Sequence, residues 1–377
     1  MFYHLPPVGN RVCLSFEAER KLPAFLSAEK TRFYASGTAA LAAAIMASIS
    51  QKGKSAAEVI LPAYACPDLV SAVCYAGATP VLVDTEFERP WFDLQLLLAA
   101  ITENTVALVG VNLFGLSERW QQLRELVRQS DIVLIEDSAQ YFPMSDAEQS
   151  WQGDLVVLSF GRGKPVGLLG GGAVFANRPE LSGLLPAAAI RPLSWWQKLS
   201  YNVKVRLYNV MISPRLYWLP QALSFLHLGE TRYHALHAVE AMDQRRMNLL
   251  ASNINCYKTD KKARSNYEKI SSMLASVEGV IDLPRVCRMK ENRRLLRYPL
   301  LLPTTRRDRV YHKLQQAGLG ASVMYPASLP GIKGIDEVLY DSKKYVNAEM
   351  FAAQILTLPL HAQVSDQDIQ KMQAILM

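Results

Sequence analysis

The first 200 residues of this chain alternate between short apolar runs and helix-like segments, and this alternation restricts the possible folds more than any other feature. The runs that predict strands are 58–64, 79–85, 106–112, 131–137, 155–160 and 172–176. The segments that predict helices are 68–78, 92–101 and 117–129, the last with Ser117 as its N-cap. Continuous apolar strands separated by helices indicate a mostly parallel sheet covered on both faces. The sequence therefore predicts an α/β fold whose ligands bind at the carboxyl ends of the strands.

The pattern changes after about residue 240, where charged residues become more frequent. There the sequence predicts one long helix over 237–275, a strand over 297–303, a helix over 307–319, a strand over 321–326 and a final helix over 366–376. This succession is typical of a smaller α+β domain. We therefore expect an N-terminal arm over 1–25, a large domain over 26–236 and a small C-terminal domain over 237–377.

Composition and charge narrow the possible partners and the compartment. The five cysteines are scattered, with no C-x-x-C pair, which favours reduced thiols in the cytoplasm over disulfides or structural zinc. No cluster of metal-ligating residues is evident, so we expect no metal. A net charge of +7 suits phosphorylated substrates or an anionic membrane surface. Since no zinc-finger spacing or Lys/Arg block occurs, we expect no nucleic-acid partner. We also expect neither a signal peptide nor a membrane-spanning helix.

The segment 181–229 differs from the rest because it contains no Asp or Glu. It carries five basic residues and three of the six tryptophans: Arg191, Lys198, Lys204, Arg206, Arg215, Trp195, Trp196 and Trp218. One interpretation is a helical excursion that packs on a partner subunit. The other is a basic, aromatic helix that makes peripheral contact with the inner face of a membrane.

Two short stretches carry groups that suit a charged, flat ligand. Ser36, Gly37 and Thr38 precede an alanine-rich helix, and a helix N-terminus favours a phosphate. The alternative there is a simple N-cap by Ser36 or Thr38. Asp137 ends a strand whose residues 132–135 are all apolar, and a buried carboxylate there needs a cation such as a pyridinium nitrogen. The alternatives for Asp137 are a helix cap or a salt bridge.

The stretch "LSFGRGKPVGLLGGGAVF", residues 158–175, contains the third candidate, Lys164. A lysine that forms a Schiff base must be held near its partner and be partly deprotonated, which burial or a nearby cation such as Arg162 or Arg32 promotes. Ser159, at the preceding strand end, could hydrogen-bond a phosphate. The alternative for Lys164 is an exposed loop residue. A phosphate cradle, a carboxylate and a lysine in this order are what pyridoxal 5'-phosphate (PLP) requires.

Several short motifs recur in an order and spacing that are specific together. They are "SGTAAL" (36–41), "ILPAY" (60–64), "AGATPVLVD" (76–84), "NLFG" (112–115), "IEDSAQ" (135–140), "GDLVVLSFGRGK" (153–164), "GGGAV" (170–174), "GASVMYP" (320–326) and "LPLH" (358–361). Through them the chain resembles the DegT/StrS family of sugar aminotransferases, which are fold-type-I PLP enzymes. The resemblance implies a mostly parallel seven-stranded sheet with helices on both faces and a smaller C-terminal α+β domain.

The resemblance also implies a role for each matching residue. Lys164 would form the Schiff base with PLP and carry the proton, and Asp137 would hold the pyridine nitrogen protonated. Gln140 would lie by the ring, and the phosphate would be bound by Gly37, Thr38 and Ser159. Such enzymes are usually homodimers with active sites at the interface. They move an amino group from an amino acid, typically glutamate, to a nucleotide-linked keto sugar, in surface polysaccharide or related glycan synthesis.

The chain departs from the family pattern in the surroundings of the substrate. Cys66 stands where many members have an aromatic residue that stacks on the cofactor, and Asn112 replaces a histidine. The segment 228–236 lacks the asparagine that reaches the neighbouring subunit's phosphate, so one of Thr231, Arg232 and Tyr233 is expected to replace it. Tyr325 and His361 are expected to shape the small-domain wall of the site, without a catalytic role.

Two other functions remain compatible with the sequence. One is a PLP-dependent sugar dehydratase or lyase, although members that dehydrate 3-hydroxy sugars often carry histidine where this chain has Lys164. The other is a non-catalytic PLP-binding or membrane-surface assembly protein, with 181–229 as its contact.

Overall fold

The computed structural model describes residues 3–15, 21–27, 29–145, 151–222, 230–289, 293–339 and 343–377. The N-terminal part contains a seven-stranded sheet and its helices: β1 Thr31–Tyr34, α1 Gly37–Lys52, β2 Glu58–Pro62, α2 Asp68–Tyr75, β3 Thr79–Val83, α3 Leu94–Ala100, β4 Thr105–Val111, α4 Trp120–Leu126, β5 Val133–Asp137, β6 Leu155–Ser159 and β7 Gly172–Ala176.

The strand order in this sheet is β1-β7-β6-β5-β4-β2-β3. Strands β2 to β6 pair in parallel, whereas β7 runs antiparallel to both β6 and β1. The central strands β4 and β5 are buried along their whole length, because helices cover both faces. The predicted mostly parallel seven-stranded sheet is therefore confirmed.

Helix α1 follows β1 and lies across the sheet. Its N-cap is Ser36, whose Oγ accepts a hydrogen bond from Ala39 N at 3.0 Å. Alanines fill most of its buried positions, and their small side chains let the helix approach the strands closely. This packing fixes the first turn of α1 beside the end of β6.

The second half of the chain adds further elements. They are α5 Pro179–Ser182, α6 Trp195–Met211, α7 Trp218–Ala222, α8 Gln244–Thr259, α9 Lys261–Leu274, β8 Ile281–Asp282, α10 Leu283–Val286, β9 Arg297–Leu301, α11 Thr304–Gln316, α12 Val346–Gln354, β10 Ile355–Pro359 and α13 Asp366–Leu376. Strands β10, β9 and β8 form an antiparallel sheet in that order. The α+β character predicted for this part is confirmed, while the domain boundaries remain predictions.

Three local predictions were wrong. Ser117 does not cap α4; the N-cap is Arg119, and Ser117 Oγ donates to Glu118 O instead. The single helix predicted over 237–275 is two helices, because Asp260 adopts an extended backbone and its carboxylate caps the second one. Residues 321–326 form no strand; only Ser322 bridges to Thr357 of β10.

Helix α6 lies in the basic, acid-free segment and is attached to the core by one face. Tyr201 and Val205 are buried, and Tyr201 Oη donates to Leu168 O at 2.9 Å. Residues 223–229 of this segment lie outside the described residues. Within the part of the chain that the structure describes, no helix has the length and apolar character needed to cross a membrane.

Candidate active site

A cavity of about 260 Å³ opens at the carboxyl ends of β5 and β6, beside the first turn of α1. Its walls include six of the seven residues predicted to hold a cofactor: Gly37, Thr38, Cys66, Asp137, Ser159 and Lys164. These residues come from five separate segments of the chain. The fold therefore brings the predicted residues together at the edge of the sheet where this architecture binds ligands.

The first wall of the cavity is a close contact between α1 and β6. A Cβ at Gly37 would lie 2.7 Å from both Cβ and Oγ of Ser159, so only glycine fits. The backbone N–H groups in the first turn of a helix lack intrahelical partners and favour an anion. Ser36 acts as the plain N-cap that the sequence allowed, and Gly37 and Ser159 leave a narrow polar cradle for a phosphate.

Thr38 and Asp68 form a contact that the sequence did not predict. Thr38 Oγ1 donates to Asp68 Oδ2 at 3.1 Å, and both residues line the cavity. Asp68 is the first residue of α2 and comes two residues after Cys66 in the sequence. The only sign of this role in the sequence was the position of Asp68 at the start of a predicted helix. An aspartate there can equally stabilise the helix N-terminus, so the residue type alone does not identify a site residue.

Asp137 is the last residue of β5 and is 6% exposed. Its Oδ1 accepts a hydrogen bond from Ala139 N at 2.9 Å. Burial raises the pKa of this carboxyl, while that hydrogen bond and the nearby Lys164 ammonium lower it. Among the described residues, no cation lies within ion-pair distance of Asp137, so the proposed salt bridge is not present.

Gln140 lies behind the cavity and is not part of its wall. Its Oε1 accepts from Phe114 N at 2.9 Å, and its Nε2 donates to Tyr325 Oη at 3.3 Å. Tyr325 also hydrogen-bonds the Cys66 thiol, and burial raises the pKa of that thiol to about 12. A neutral thiol thus lies in the wall of the cavity at Cys66. Tyr325 lies behind that thiol and connects it to the C-terminal part.

Lys164 lies in the loop between β6 and β7 and is partly buried. Asn10 Nδ2 donates to the carbonyl oxygens of Lys164 and Pro165, which fixes this loop to the N-terminal arm. Arg162 shares the cavity with Lys164, whereas Arg32 does not line it. At Gly172, in the glycine cluster, any Cβ would collide with Ser36 O. The glycines therefore let β7 pass directly behind the start of α1.

Comparison with known proteins agrees with this arrangement. The profile of the DegT/DnrJ/EryC1/StrS aminotransferase family matches residues 13–191 and 254–377, which is most of the chain. The chain belongs to this family. The resemblance inferred from the short motifs is thereby confirmed.

One curated relative and two solved structures illustrate what the chain is similar to. UDP-2-acetamido-2-deoxy-3-oxo-D-glucuronate aminotransferase of Pseudomonas aeruginosa is 35% identical over 47% of this chain and 48% of its own. The chain thus spans about half the length of this curated relative. The structure of DesI with its TDP-sugar product has a TM-score of 0.70 at 18% identity and covers 100% of this chain and 92% of that chain. A sugar aminotransferase of Streptococcus pneumoniae in its PLP form has a TM-score of 0.66 at 21% identity, with coverages of 95% and 92%.

The cavity fits PLP on the evidence of its own residues. The buried Asp137 carboxylate has one oxygen without a protein donor among the described residues, as a pyridinium N–H requires. The Gly37–Ser159 cradle suits the phosphate group. Lys164, on a loop fixed from behind, supplies the amine. The described residues contain no group of three His, Cys, Asp or Glu side chains arranged for a metal ion.

A second and larger cavity, of about 690 Å³, adjoins the first through Arg162. Its wall includes Tyr208, Tyr217, Arg297 and Tyr325. Burial lowers the pKa of the Arg297 guanidinium, and its buried Nε has no hydrogen-bond partner in the part of the chain that the structure describes. Among the described residues, no carboxylate pairs with Arg297. A buried cation without an anion is costly, so this cavity suits a negatively charged ligand.

Two further residues singled out by the sequence have structural explanations. His361 Nε2 contacts Pro6 O at 2.8 Å, and burial lowers the pKa of the imidazole to about 4, so it is neutral and positions the N-terminal arm. Asn112 is buried and donates from Nδ2 to Glu136 Oε1 at 2.8 Å and to Ser138 Oγ at 2.6 Å. Asn112 therefore orders the end of β5 and does not line the cavity.

Proposed function

We propose that this chain is a PLP-dependent aminotransferase that moves an amino group from glutamate to a nucleotide-linked keto sugar. The observation that carries the proposal is the meeting of Lys164, Asp137 and the Gly37–Ser159 cradle in one cavity. Family membership and the sugar nucleotides named for the relatives support the substrate class.

Bound PLP supplies a carbonyl carbon that accepts the amino group and a ring that withdraws electrons from it. The role of this chain is to bind, orient and move protons. Lys164 Nζ takes the proton from the α-carbon of the amino donor, since its loop points the amine into the cavity. Asp137 keeps a proton on the ring nitrogen, because a buried carboxylate is stabilised by an adjacent cation.

The second cavity is the proposed site of the sugar nucleotide and of the donor's carboxylates. Arg162 lies at the junction of the two cavities, and Arg297 lies in the wall of the second. Anionic groups of either substrate can therefore reach a guanidinium while the reacting carbon stays near Lys164. Tyr208 and Tyr217 offer flat faces for a sugar or base. Glu230, which also lines this cavity, pairs with Arg232.

The setting of the reaction is part of the same proposal. We place the enzyme in the cytoplasm, as a homodimer with its active sites at the interface, supplying an amino sugar to surface polysaccharide or a related glycan. The scattered reduced cysteines favour the compartment. A homodimer is what the family resemblance implies, and one of Thr231, Arg232 and Tyr233 is the proposed contact to the partner's phosphate site.

The test is the absorbance spectrum of the purified protein with PLP, before and after glutamate is added, and then after a panel of UDP- and dTDP-linked keto sugars. We expect a visible band from lysine-bound PLP that glutamate bleaches and the correct keto sugar restores. Lys164→Ala should lack the band, whereas Lys371→Ala, an exposed lysine on α13, should keep it.

A band that glutamate leaves unchanged would exclude glutamate as donor. Formation of a keto-deoxy sugar without transfer of an amino group would show that the enzyme is a lyase and not a transaminase. The absence of any band at saturating PLP would contradict the proposal as a whole.

A further inference from the structure

We propose that helix α6 binds the surface of an anionic lipid bilayer through the face that points away from the core. This proposal does not depend on the reaction catalysed. It rests on three observations: an exposed apolar stripe on α6, the basic residues within and beside that stripe, and the position of a tryptophan pair at the start of the helix.

The stripe consists of large apolar side chains that recur every three or four residues along α6. Their exposed fractions range from 41% to 71%, and the residues are Trp195, Trp196, Leu199, Val203, Leu207 and Val210. At 3.6 residues per turn, these positions fall within an arc of about 120° on one side of the helix. A surface helix normally exposes polar residues on this side, so an exposed apolar stripe of this length indicates a binding surface.

The opposite side of α6 is fixed to the protein. Tyr201 and Val205 are buried there, and Tyr201 Oη donates to Leu168 O. A capping box between Ser194 and Gln197 closes the N-terminus of the helix. The helix therefore has one apolar face that is buried and one that is exposed. The exposed face cannot pack on the core unless the buried contacts of Tyr201 and Val205 are broken.

The charges around the stripe favour an anionic surface over a second copy of the chain. Lys198, Lys204 and Arg206 are exposed on α6, and the segment 181–229 contains no acidic residue. A two-fold interface through this face would bring these cations together without carboxylates of the segment to balance them. Arg191 pairs with Glu240 at 3.6 Å and is not needed for the argument. Lipid phosphates provide the complementary charge.

The tryptophan pair suits the boundary between lipid headgroups and acyl chains. The rings of Trp195 and Trp196 lie edge to face with their centroids 4.4 Å apart, and both side chains are more than 60% exposed. Tryptophan is enriched at this boundary because it combines a large apolar ring with an N–H donor. The same helix contributes Tyr208 and Met211 to the second cavity, so binding would place that cavity beside the bilayer.

The experiment is flotation of the PLP-loaded protein with vesicles of phosphatidylcholine alone or mixed with phosphatidylglycerol, at low and high salt. We expect flotation with the anionic vesicles at low salt and much less with the neutral ones. The double variant Trp195→Ser/Trp196→Ser should reduce the bound fraction at least about tenfold. The matched control is Leu96→Ser/Leu98→Ser, which removes two similarly exposed apolar side chains from α3.

Circular dichroism and light scattering without vesicles show whether a variant has misfolded or changed its oligomeric state. Both variants should keep the wild-type helix content and mass, because the altered side chains are exposed. The proposal is wrong if the wild type fails to float with anionic vesicles at low salt, or if the tryptophan variant floats as well as the wild type. It is also wrong if that variant changes the oligomeric state, since the face would then be a subunit interface.

Discussion

The backbone of Gly37, at the start of α1, lies against the side chain of Ser159, at the end of β6, so closely that a Cβ at position 37 would be 2.7 Å from Ser159 Oγ. The contact joins a helix N-terminus to a strand end that is more than 100 residues away in sequence. It places backbone N–H groups and a hydroxyl on the same side of one small cavity.

Substituting Gly37 should therefore weaken cofactor binding. Gly37→Ala forces α1 and β6 apart, and we expect the dissociation constant for PLP to rise at least about tenfold. Fluorescence titration with PLP measures the effect. The control is Gly183→Ala, where a Cβ meets no atom within 4 Å and the backbone is ordinary. Equal affinities for Gly37→Ala and the wild type would contradict a phosphate cradle here.

Tyr325 is expected to act as a positioning residue through Gln140. Tyr325→Phe removes the acceptor of the Gln140 Nε2 hydrogen bond, and leaving that donor unpaired in the interior should cost about 1–2 kcal/mol. We also expect kcat to fall about tenfold while KM changes little, because Gln140, the residue expected beside the PLP ring, is no longer held in place by Tyr325. Steady-state kinetics and denaturant unfolding measure both effects.

Tyr257→Phe is the matched control for that measurement. It removes a comparable hydrogen bond, from Tyr257 Oη to Phe142 O at 3.2 Å, and Tyr257 does not line the active-site cavity. We expect a similar loss of stability with kcat unchanged. Identical kinetics for the two variants would show that Tyr325 has a structural role only.

Arg297 should determine the affinity for an anionic substrate. Arg297→Met keeps most of the side-chain volume but removes the buried guanidinium, so KM for the anionic substrate should rise at least about tenfold. The free energy of unfolding should stay the same or increase, because an uncompensated buried charge is removed. Kinetics with each substrate varied in turn identifies which one it binds. Arg309→Met, on the exposed side of α11, is the control, and unchanged KM values for both substrates would contradict the assignment.

His361 should make the protein less stable in mild acid. Burial lowers the pKa of its imidazole from 6.5 to about 4. Between these two pH values the imidazole is protonated in the unfolded chain but neutral in the folded protein. The free energy of unfolding therefore falls as the pH drops from 6.5 towards 4, by about 2 kcal/mol between pH 7 and 5 from this group alone. Denaturant midpoints at both pH values for the wild type and His361→Gln test this. The contributions of all other titrating groups are the same in both proteins and cancel when the two pH-dependent losses of stability are subtracted. An equal loss in the wild type and in His361→Gln would contradict the prediction.

Much of the α/β core could be predicted from local patterns. The apolar runs that became β2 to β7 are continuous, and the central strands β4 and β5 are covered on both faces, so each run stands out without knowledge of its neighbours. Asp137 and Ser159 could be found because they are polar groups at the ends of such runs, and Lys164 because it lies in the glycine-rich loop that follows Ser159. Strands β1, β8 and β10 were missed, since the partners with which they pair, β7 and β9, are not visible in the local sequence pattern.

The sequence by itself determined the order of strands and helices in the N-terminal part, the edge of the sheet at which ligands bind, and the residue types at that edge. Only the tertiary structure decided that Tyr325 meets Gln140 across 185 residues, that Asp68 reaches Thr38, and that Arg297 Nε is buried with no carboxylate of the described residues beside it. The physical reason is that periodicity and capping are local, whereas burial and hydrogen-bond partners depend on which distant segments pack together.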